Sequence, residues 1–346
     1  MQEIFLGVFL CTFLSFFISC SPSSPIPEAD ISPVVVSEKT PNDTDDPAIW
    51  YNSAHPSESL VLGTDKGDST GGIFVFRLDG TMDSSKCIRN LKRPNNIDIE
   101  YGFRFRGEMT DIAVFTERGK DMIRVIALPE CRFIDQGGIP VFADDSLRAP
   151  MGISLYKDKA GQVFAFVSRK TGPSGSYLYQ YLLEANDSCV SAVKVRALGK
   201  FAGGKEIEAI VVDDEAGYVY YSDEGTGIRK YYADAYKGNE ELALFAQTGI
   251  MEDHEGLSIY QGNSGEGYII LSDQGANQFH LFNRKGTRKH PHDHPLVRIV
   301  NTKTESSDGS DILNLPFNAQ FPDGIFVAMS SDRSFQFYRA GDIVGR

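Results

Sequence analysis

Three things are scarce in this sequence. The first is helical periodicity: beyond the first twenty or so residues the hydrophobic runs are short and rarely recur at the three-to-four spacing of a helix, which argues against a helix-built fold. The second is positive charge. With 34 Lys and Arg against 47 Asp and Glu, the formal net charge is −13. Phosphate backbones attract basic faces, so nucleic acid is excluded as a partner. Most of the acidity reads as ordinary solvated surface. The third is cysteine. Cys11 and Cys20 fall in the N-terminal segment, leaving Cys87, Cys131 and Cys189. Export would permit one disulfide among these three, but their spacing specifies no pairing and no zinc site. A GxSxG elbow, a Walker A loop and an HExxH pair are also missing, and with them three routes to catalysis.

What the chain has is glycine, 33 residues of it, and many short apolar runs bounded by Gly, Asn and Asp. Such runs read as strands joined by tight turns. From Asp253 to Gly286 an acidic pair opens the run Leu257 to Tyr260. A Gly-rich turn follows, then Tyr268 to Leu271, Ser272-Asp273-Gln274-Gly275, and an alternating run through Phe279 and Leu281. This is an antiparallel meander whose first strand begins with carboxylates. The unit recurs. Glu206-Ile207-Glu208 opens one copy, with Ser222-Asp223-Glu224-Gly225 after its second strand. Met151 opens another with Ser168-Arg169-Lys170, Asp98 another with Thr116-Glu117-Arg118, and Asp45-Asp46 another with Thr64-Asp65-Lys66. The last begins near Asp308 and carries Ser331-Asp332-Arg333. The residues after the second strands are spaced 118−66 = 52, 170−118 = 52, 224−170 = 54 and 274−224 = 50. A strand-built repeat of about 50 residues is the signature of a propeller blade. The expected fold is all-β, a six-bladed β-propeller of four-stranded antiparallel blades.

Ile4 to Ile18 is apolar and too short for a comfortable membrane span, and it ends in Phe17-Ile18-Ser19-Cys20. It resembles a bacterial lipoprotein signal, apart from Gln2 and Glu3, which supply no positive charge. The expected organisation is a signal peptide over residues 1–19, lipidation at Cys20, a flexible tether over 20–33 and the propeller over 34–346. The protein is expected in the periplasm or on the cell surface, touching a membrane only through that anchor, and as a monomer.

In an antiparallel hairpin the start of the first strand and the end of the second share one edge. The first strand of a blade lines the central channel, so opening acids and post-strand residues should converge on the channel mouth. That ring is polarised. Lys66, Arg118 and Lys170 stand on one side. Glu208, Asp223, Glu224, Asp253, Glu255 and Asp308 or Asp311 stand on the other, with Asp45, Asp46 and Asp98 beside the basic side. Crowded carboxylates raise one another's pKa unless a cation sits among them. Hard oxygen donors suit calcium, and the basic side would attract an anion with several phosphates. The plainer alternative is that these acids cap turns through Asx hydrogen bonds.

At these residues the chain resembles the β-propeller phytases, calcium-dependent phosphatases of myo-inositol hexakisphosphate, from about Asp43 to Tyr338. Asp43-Thr44-Asp45-Asp46-Pro47-Ala48-Ile49-Trp50 resembles their DDPAIW signature, and Asn95-Asn96-Ile97-Asp98 their NNVD. Lys66, Arg118, Val167-Ser168-Arg169-Lys170, Glu206 to Glu215, Asp223-Glu224, Asp253-His254-Glu255-Gly256 and Asp308-Gly309 match in order. The resemblance implies that Lys66, Arg118 and Lys170 bind phosphate with help from Asp308. It implies that Asp45, Glu208, Glu224, Asp253 and Glu255 hold catalytic calcium, with Glu224 essential to catalysis. Asp46 and Asp98 would hold structural calcium near the blade closure. Several calcium ions are implied, along with hydrolysis of the 3-phytase type by metal-activated water and no covalent nucleophile. Two positions depart from the family: Glu100 stands where Arg is frequent, and Met151 where a Tyr would donate to a phosphate. They keep open a calcium-dependent phosphatase or esterase for another substrate. A noncatalytic propeller that binds a phosphorylated ligand or a protein partner is the alternative from a different class.

Three further features have bland readings. His290-Pro291-His292-Asp293-His294 reads as a turn rather than a metal cluster. Gly67 to Gly72 reads as a turn between strands rather than a phosphate loop. Tyr218, Tyr220 and Tyr221 read as packing between blades.

Overall fold

The computed structural model describes Met1, residues 30–262 and residues 265–346. Apart from Met1, the expected signal peptide, Cys20 and all but the end of the tether lie outside the described residues. The rest is a ring of six antiparallel sheets, five of them running from the channel outward in chain order. The first blade is Thr44–Trp50, Leu60–Asp65, Gly71–Arg77 and Ile88–Leu91. The second begins with the long strand Pro94–Phe105 and carries an additional short strand, Arg132–Phe133. The third, fourth and fifth begin at Pro150–Lys157, Ile210–Asp213 and His254–Gln261. The sixth has three strands from the C-terminal end of the chain, Ser310–Leu313, Ile325–Ser330 and Ser334–Arg339. Its outermost strand is Val35–Val36, in register with Phe337 and Gln336. The chain's two ends therefore close the ring in one sheet. Among the described residues no helix is long and apolar enough to cross a membrane.

Strand periodicity explains why the apolar runs are nearly continuous. Successive side chains point to opposite faces of a sheet, and here both faces are covered by neighbouring blades. Leu62 packs against Ile97 and Phe115 of the second blade, while its neighbour Val61 packs against Val327 and Phe337 of the sixth. Six apolar clusters result, one in each seam between adjacent blades. Tyr220 and Tyr221 lie in two of them on opposite faces of the fourth blade, and Tyr218 packs against one. Each large side chain removed from water in these seams contributes about 1.5–3 kcal/mol. Together they make a rigid ring that holds the six first strands around the axis. Cys87, Cys131 and Cys189 are unpaired thiols.

Candidate active site at the channel mouth

The mouth is built from one irregularity repeated around the ring. Register slips by a bulge between Thr44 and Pro47, Pro94 and Ile97, Pro150 and Ile153, and His254 and Leu257. The fourth blade makes the same step, bracketed by the bonds Glu224 N to Glu206 O and Ser222 N to Ala209 O. The sixth does so with one residue more, between Ser331 N to Glu305 O and Met329 N to Gly309 O. A bulge kinks its strand and re-aims its side chains. The first residue of the bulge turns to the mouth, giving the series Asp45, Asn95, Met151, Glu208, Glu255 and Asp308. The second is pressed against the next blade, giving Asp46, Asn96, Gly152, Ala209, Gly256 and Gly309. Glycine is required at three of these. A Cβ on Gly152 would lie 1.6 Å from Glu208 O, on Gly256 2.8 Å from Asp308 O, and on Gly309 2.8 Å from Asp45 O.

The residue after each second strand is held beside this ring. Its N–H donates to the loop entering the first strand: Lys66 to Asp43 O, Arg118 to Arg93 O, Lys170 to Ala149 O and Glu224 to Glu206 O. Lys66 Nζ lies 2.5 Å from Asp308 Oδ2 and 3.4 Å from Asp45 Oδ1. Asp308 also accepts from Gln274 Nε2 at 2.5 Å. Asn95 Nδ2 spans the axis between Asp45, at 2.8 Å, and Glu208, at 3.2 Å. Lys170 Nζ is 2.5 Å from Glu206. Arg118 donates through Nη1 to the sulfur of Met151.

The acidic side condenses into two triads that share Glu224. Glu206, Glu208 and Glu224 each bring one carboxylate oxygen within 4.8 Å of the others, and so do Glu224, Asp253 and Glu255. Burial pushes the Glu224 carboxyl up to about 8, with Glu206 and Asp253 adding to the effect. Glu208 and Glu255 are held well above the ordinary carboxylate range, by burial first and then by Asp45 and Glu208 respectively. Asp308 is raised to about 6 by burial, against the pull of Lys66. Glu224 Oε1 and Glu255 Oε2 are buried without a hydrogen-bond partner. Orphaned carboxylate oxygens of this kind are costly unless a cation takes them up. The donor set, all carboxylate oxygen with no His or Cys, fits a hard divalent ion.

Lys66, Arg118, Lys170, Asp45, Glu208, Glu224, Asp253, Glu255 and Asp308 thus share one rim. Four other acids do not. Asp46 lies inside the channel where the first blade meets the second, not at the closure, its Oδ2 accepting from Ile97 N at 3.0 Å. Asp98 is also in the channel, but at the seam of the second and third blades rather than at the closure. It accepts from Leu155 N at 2.7 Å and Ser154 Oγ at 2.9 Å. Asp311 repeats that staple from the sixth blade, accepting from Ile49 N at 2.8 Å, so Asp308 alone of the pair reaches the mouth. Asp223 sits behind the rim, accepting from Ala202 N at 2.9 Å and Arg229 Nε at 2.7 Å. The acids at its position in other blades do the same work: Asp65 and Glu117 accept from Asn42 N and Lys92 N.

Three other readings change. Glu100, midway along its strand, pairs at 2.8 Å with Lys157, the last residue of the third blade's first strand, away from the mouth. It therefore carries no argument about substrate. The post-strand position of the sixth blade is Ser331, two residues before Arg333. Gly67-Asp68-Ser69-Thr70-Gly71 spells GxSxG inside the turn already noted. Ser69, however, is exposed between two strands and not on a strand-to-helix elbow. The His290 segment is a turn, as expected, and His294 Nε2 meets Lys230 Nζ at 3.1 Å. Sequence reasoning gave no role to Asn95, Lys205, Glu206 or Gln274. The bulge register would have flagged Asn95 and Glu206, which stands where Asp43, Arg93 and Ala149 stand in the other blades, whereas Lys205 lies in the loop before it.

A family model described as Phytase matches residues 21–336. A 3-phytase of Bacillus subtilis (strain 168) is 31% identical over 300 residues, spanning 83% of this chain and 74% of the relative. Among solved structures, a calcium-binding protein, regucalcin, of Agrobacterium tumefaciens strain C58 superposes with a TM-score of 0.53. It is 9% identical and 88% of each chain is covered, a likeness that shows the fold alone.

Proposed function

The chain belongs to the phytase family, and from that premise we propose that it is an exported, calcium-dependent phytase that hydrolyses the phosphate monoesters of myo-inositol hexakisphosphate. The observation that carries this reading is the shared rim, with three basic side chains facing two carboxylate triads whose buried oxygens lack partners. Glu206, Glu208 and Glu224 would hold one ion, and Glu224, Asp253 and Glu255 another. Bound calcium supplies positive charge against the substrate's phosphates and lowers the pKa of water.

The chain's own residues do the rest. Lys66 is held by Asp45 and Asp308, whose charges keep its ammonium protonated although burial opposes this. It can donate to the equatorial oxygens of the phosphoryl group without first being ordered. Arg118, which no carboxylate among the described residues engages directly and whose Nη1 rests on the Met151 sulfur, is available for the same phosphoryl group. Lys170 is placed for a neighbouring phosphate once it leaves Glu206. Positioning and electrostatics supply most of the rate in phosphoryl transfer, and a substrate with several adjacent phosphates spans both halves of the rim. The 3-phytase regiochemistry of the Bacillus relative extends to this chain as part of the proposal.

The test is release of inorganic phosphate from myo-inositol hexakisphosphate and from simple monoesters, with calcium and with EDTA. Chelation or Glu224→Gln is expected to abolish release from the hexakisphosphate; activity that survives both defeats the reading. Export and lipidation at Cys20 are part of the proposal. Cys20→Ser is expected to move the protein from the membrane to the soluble fraction, and unchanged fractionation argues against the anchor. The protein acts as a monomer, to be checked by its mass in solution.

A further inference from the structure

One basic residue reaches the acidic side of the mouth from a loop rather than from a strand end. The loop joins the third blade to the fourth and is pinned at both ends. Phe201 N donates to Ser174 Oγ at 2.9 Å and Ala202 N to Asp223 Oδ2 at 2.9 Å, while Glu206 O accepts from Glu224 N at 3.1 Å. Between the pins run Gly203, Gly204 and Lys205. A Cβ on Gly203 would meet nothing within 4 Å, and one on Gly204 only Glu224 O at 3.9 Å. Two glycines with open space around them give the backbone freedom that ordinary residues would restrict. At the end of this arm Lys205 Nζ donates to Asp253 Oδ1, with half of the lysine side chain exposed.

Asp253 belongs to the triad with Glu224 and Glu255, and each of those two keeps one buried oxygen without a partner. Among the described residues, the only positive charge bonded to this triad therefore comes from a residue on a hinged, half-solvated arm. Lys170 engages the other triad through Glu206, but it follows directly on a strand and its backbone is tied to Ala149.

We propose that Lys205 is a tethered counter-ion of the Glu224–Asp253–Glu255 triad. Its ammonium neutralises Asp253 while the triad holds no ion, and it gives way when a divalent cation binds. In doing so it sets how tightly that cation is held, and once released it faces the polyanionic substrate. This rests on the calcium reading of the mouth. Like charges a few ångströms apart repel, and water around a half-exposed ammonium screens much of that repulsion. The effect on affinity is therefore expected to be about tenfold rather than thousands-fold.

The test is calorimetric titration of the full chain with calcium chloride, comparing wild type, Lys205→Ala, Lys205→Arg and Glu224→Gln. Lys205→Ala is expected to bind calcium at the Glu224-dependent site about tenfold more tightly, with the gain shrinking as ionic strength rises. Lys205→Arg, which keeps the charge, is expected to stay within about twofold of wild type. The KM of Lys205→Ala for myo-inositol hexakisphosphate should rise. Damage to the fold would loosen calcium, not tighten it, so affinity for Lys205→Ala equal to or weaker than wild type overturns the inference and leaves the proposed function standing. If wild type takes up no calcium that Glu224→Gln removes, the function itself fails and the inference falls with it.

Discussion

Lys66 illustrates how much of this molecule is decided by single side chains. Four-fifths buried, it lies against Asp308 and Asp45, with Asp43 at 3.9 Å. Removing one partner of a buried charge pair leaves the others uncompensated. Lys66→Ala is therefore expected to lower kcat by about 10²–10³-fold, the cost of losing one preorganised donor to the transition state. It should also lower the melting temperature of the EDTA-treated protein more than that of the calcium-loaded protein, because a nearby divalent ion replaces the missing charge. Steady-state kinetics and paired thermal melts check this; an equal loss of melting temperature in both states would show that Lys66 is not balancing the mouth acids. Met151 works differently. It holds a mouth position in the bulge series but is buried against Arg118. What stands there is an apolar shelf under the guanidinium and not a donor for phosphate.

At the scale of the element, the repeated bulge matters more than any one strand. It explains why Asp45 and Asp46, adjacent in sequence, serve different places: one faces the mouth and the other the channel. The 50-residue repeat was readable because every blade ends its second strand at the same point, and that fixed both the propeller and the side of the ring each cation would occupy. The bulge was not readable, because one extra residue in a period-two strand flips every later side chain and leaves no compositional mark. Asp311, which follows the bulge, was weighed with Asp308 for the mouth for that reason, whereas Asp223 misses the rim because it is the last residue of its second strand and points away from Glu224 by simple alternation. The strand Val35–Val36 was equally hidden, since two residues carry no period. Gly152 makes the bulge testable. A methyl group there would collide with the backbone oxygen of Glu208, which cannot move without shifting a mouth carboxylate. Gly152→Ala is expected to cost about 1–3 kcal/mol of stability or more, read from urea denaturation, and to weaken calcium binding even where the protein remains folded. Wild-type calcium affinity in a folded Gly152→Ala protein would show that the bulges do not set the mouth.

Across the whole molecule, a net charge of −13 is less telling than where the buried part of it sits. Burial raises Glu224 to about 8, Asp98 to about 7, and Asp308 and Asp311 to about 6. Each folded-state pKa lies above the ordinary carboxylate value, so between about pH 4 and 8 the folded chain binds more protons than the unfolded one. Stability without metal therefore falls as pH rises through that window. His294 acts the other way: burial lowers it to about 4, and the stability lost by keeping it neutral in acid returns as pH rises toward its ordinary value. Four carboxyls outweigh one imidazole, and the exposed acids that salt bridges pull downward add little. The EDTA-treated protein is thus expected to melt at a higher temperature near pH 5 than near pH 8. Calcium should invert that order, because ionised carboxylates are what it binds, and at about 100 times its dissociation constant a single site adds roughly 2.7 kcal/mol. The rise in melting temperature on adding calcium should accordingly be small at pH 5 and several degrees at pH 8. Thermal melts at the two pH values, with and without calcium, decide it: a metal-free protein that grows more stable from pH 5 to pH 8 would mean that the mouth and channel carboxylates are compensated within the chain, and that no cation is needed to hold the rim together.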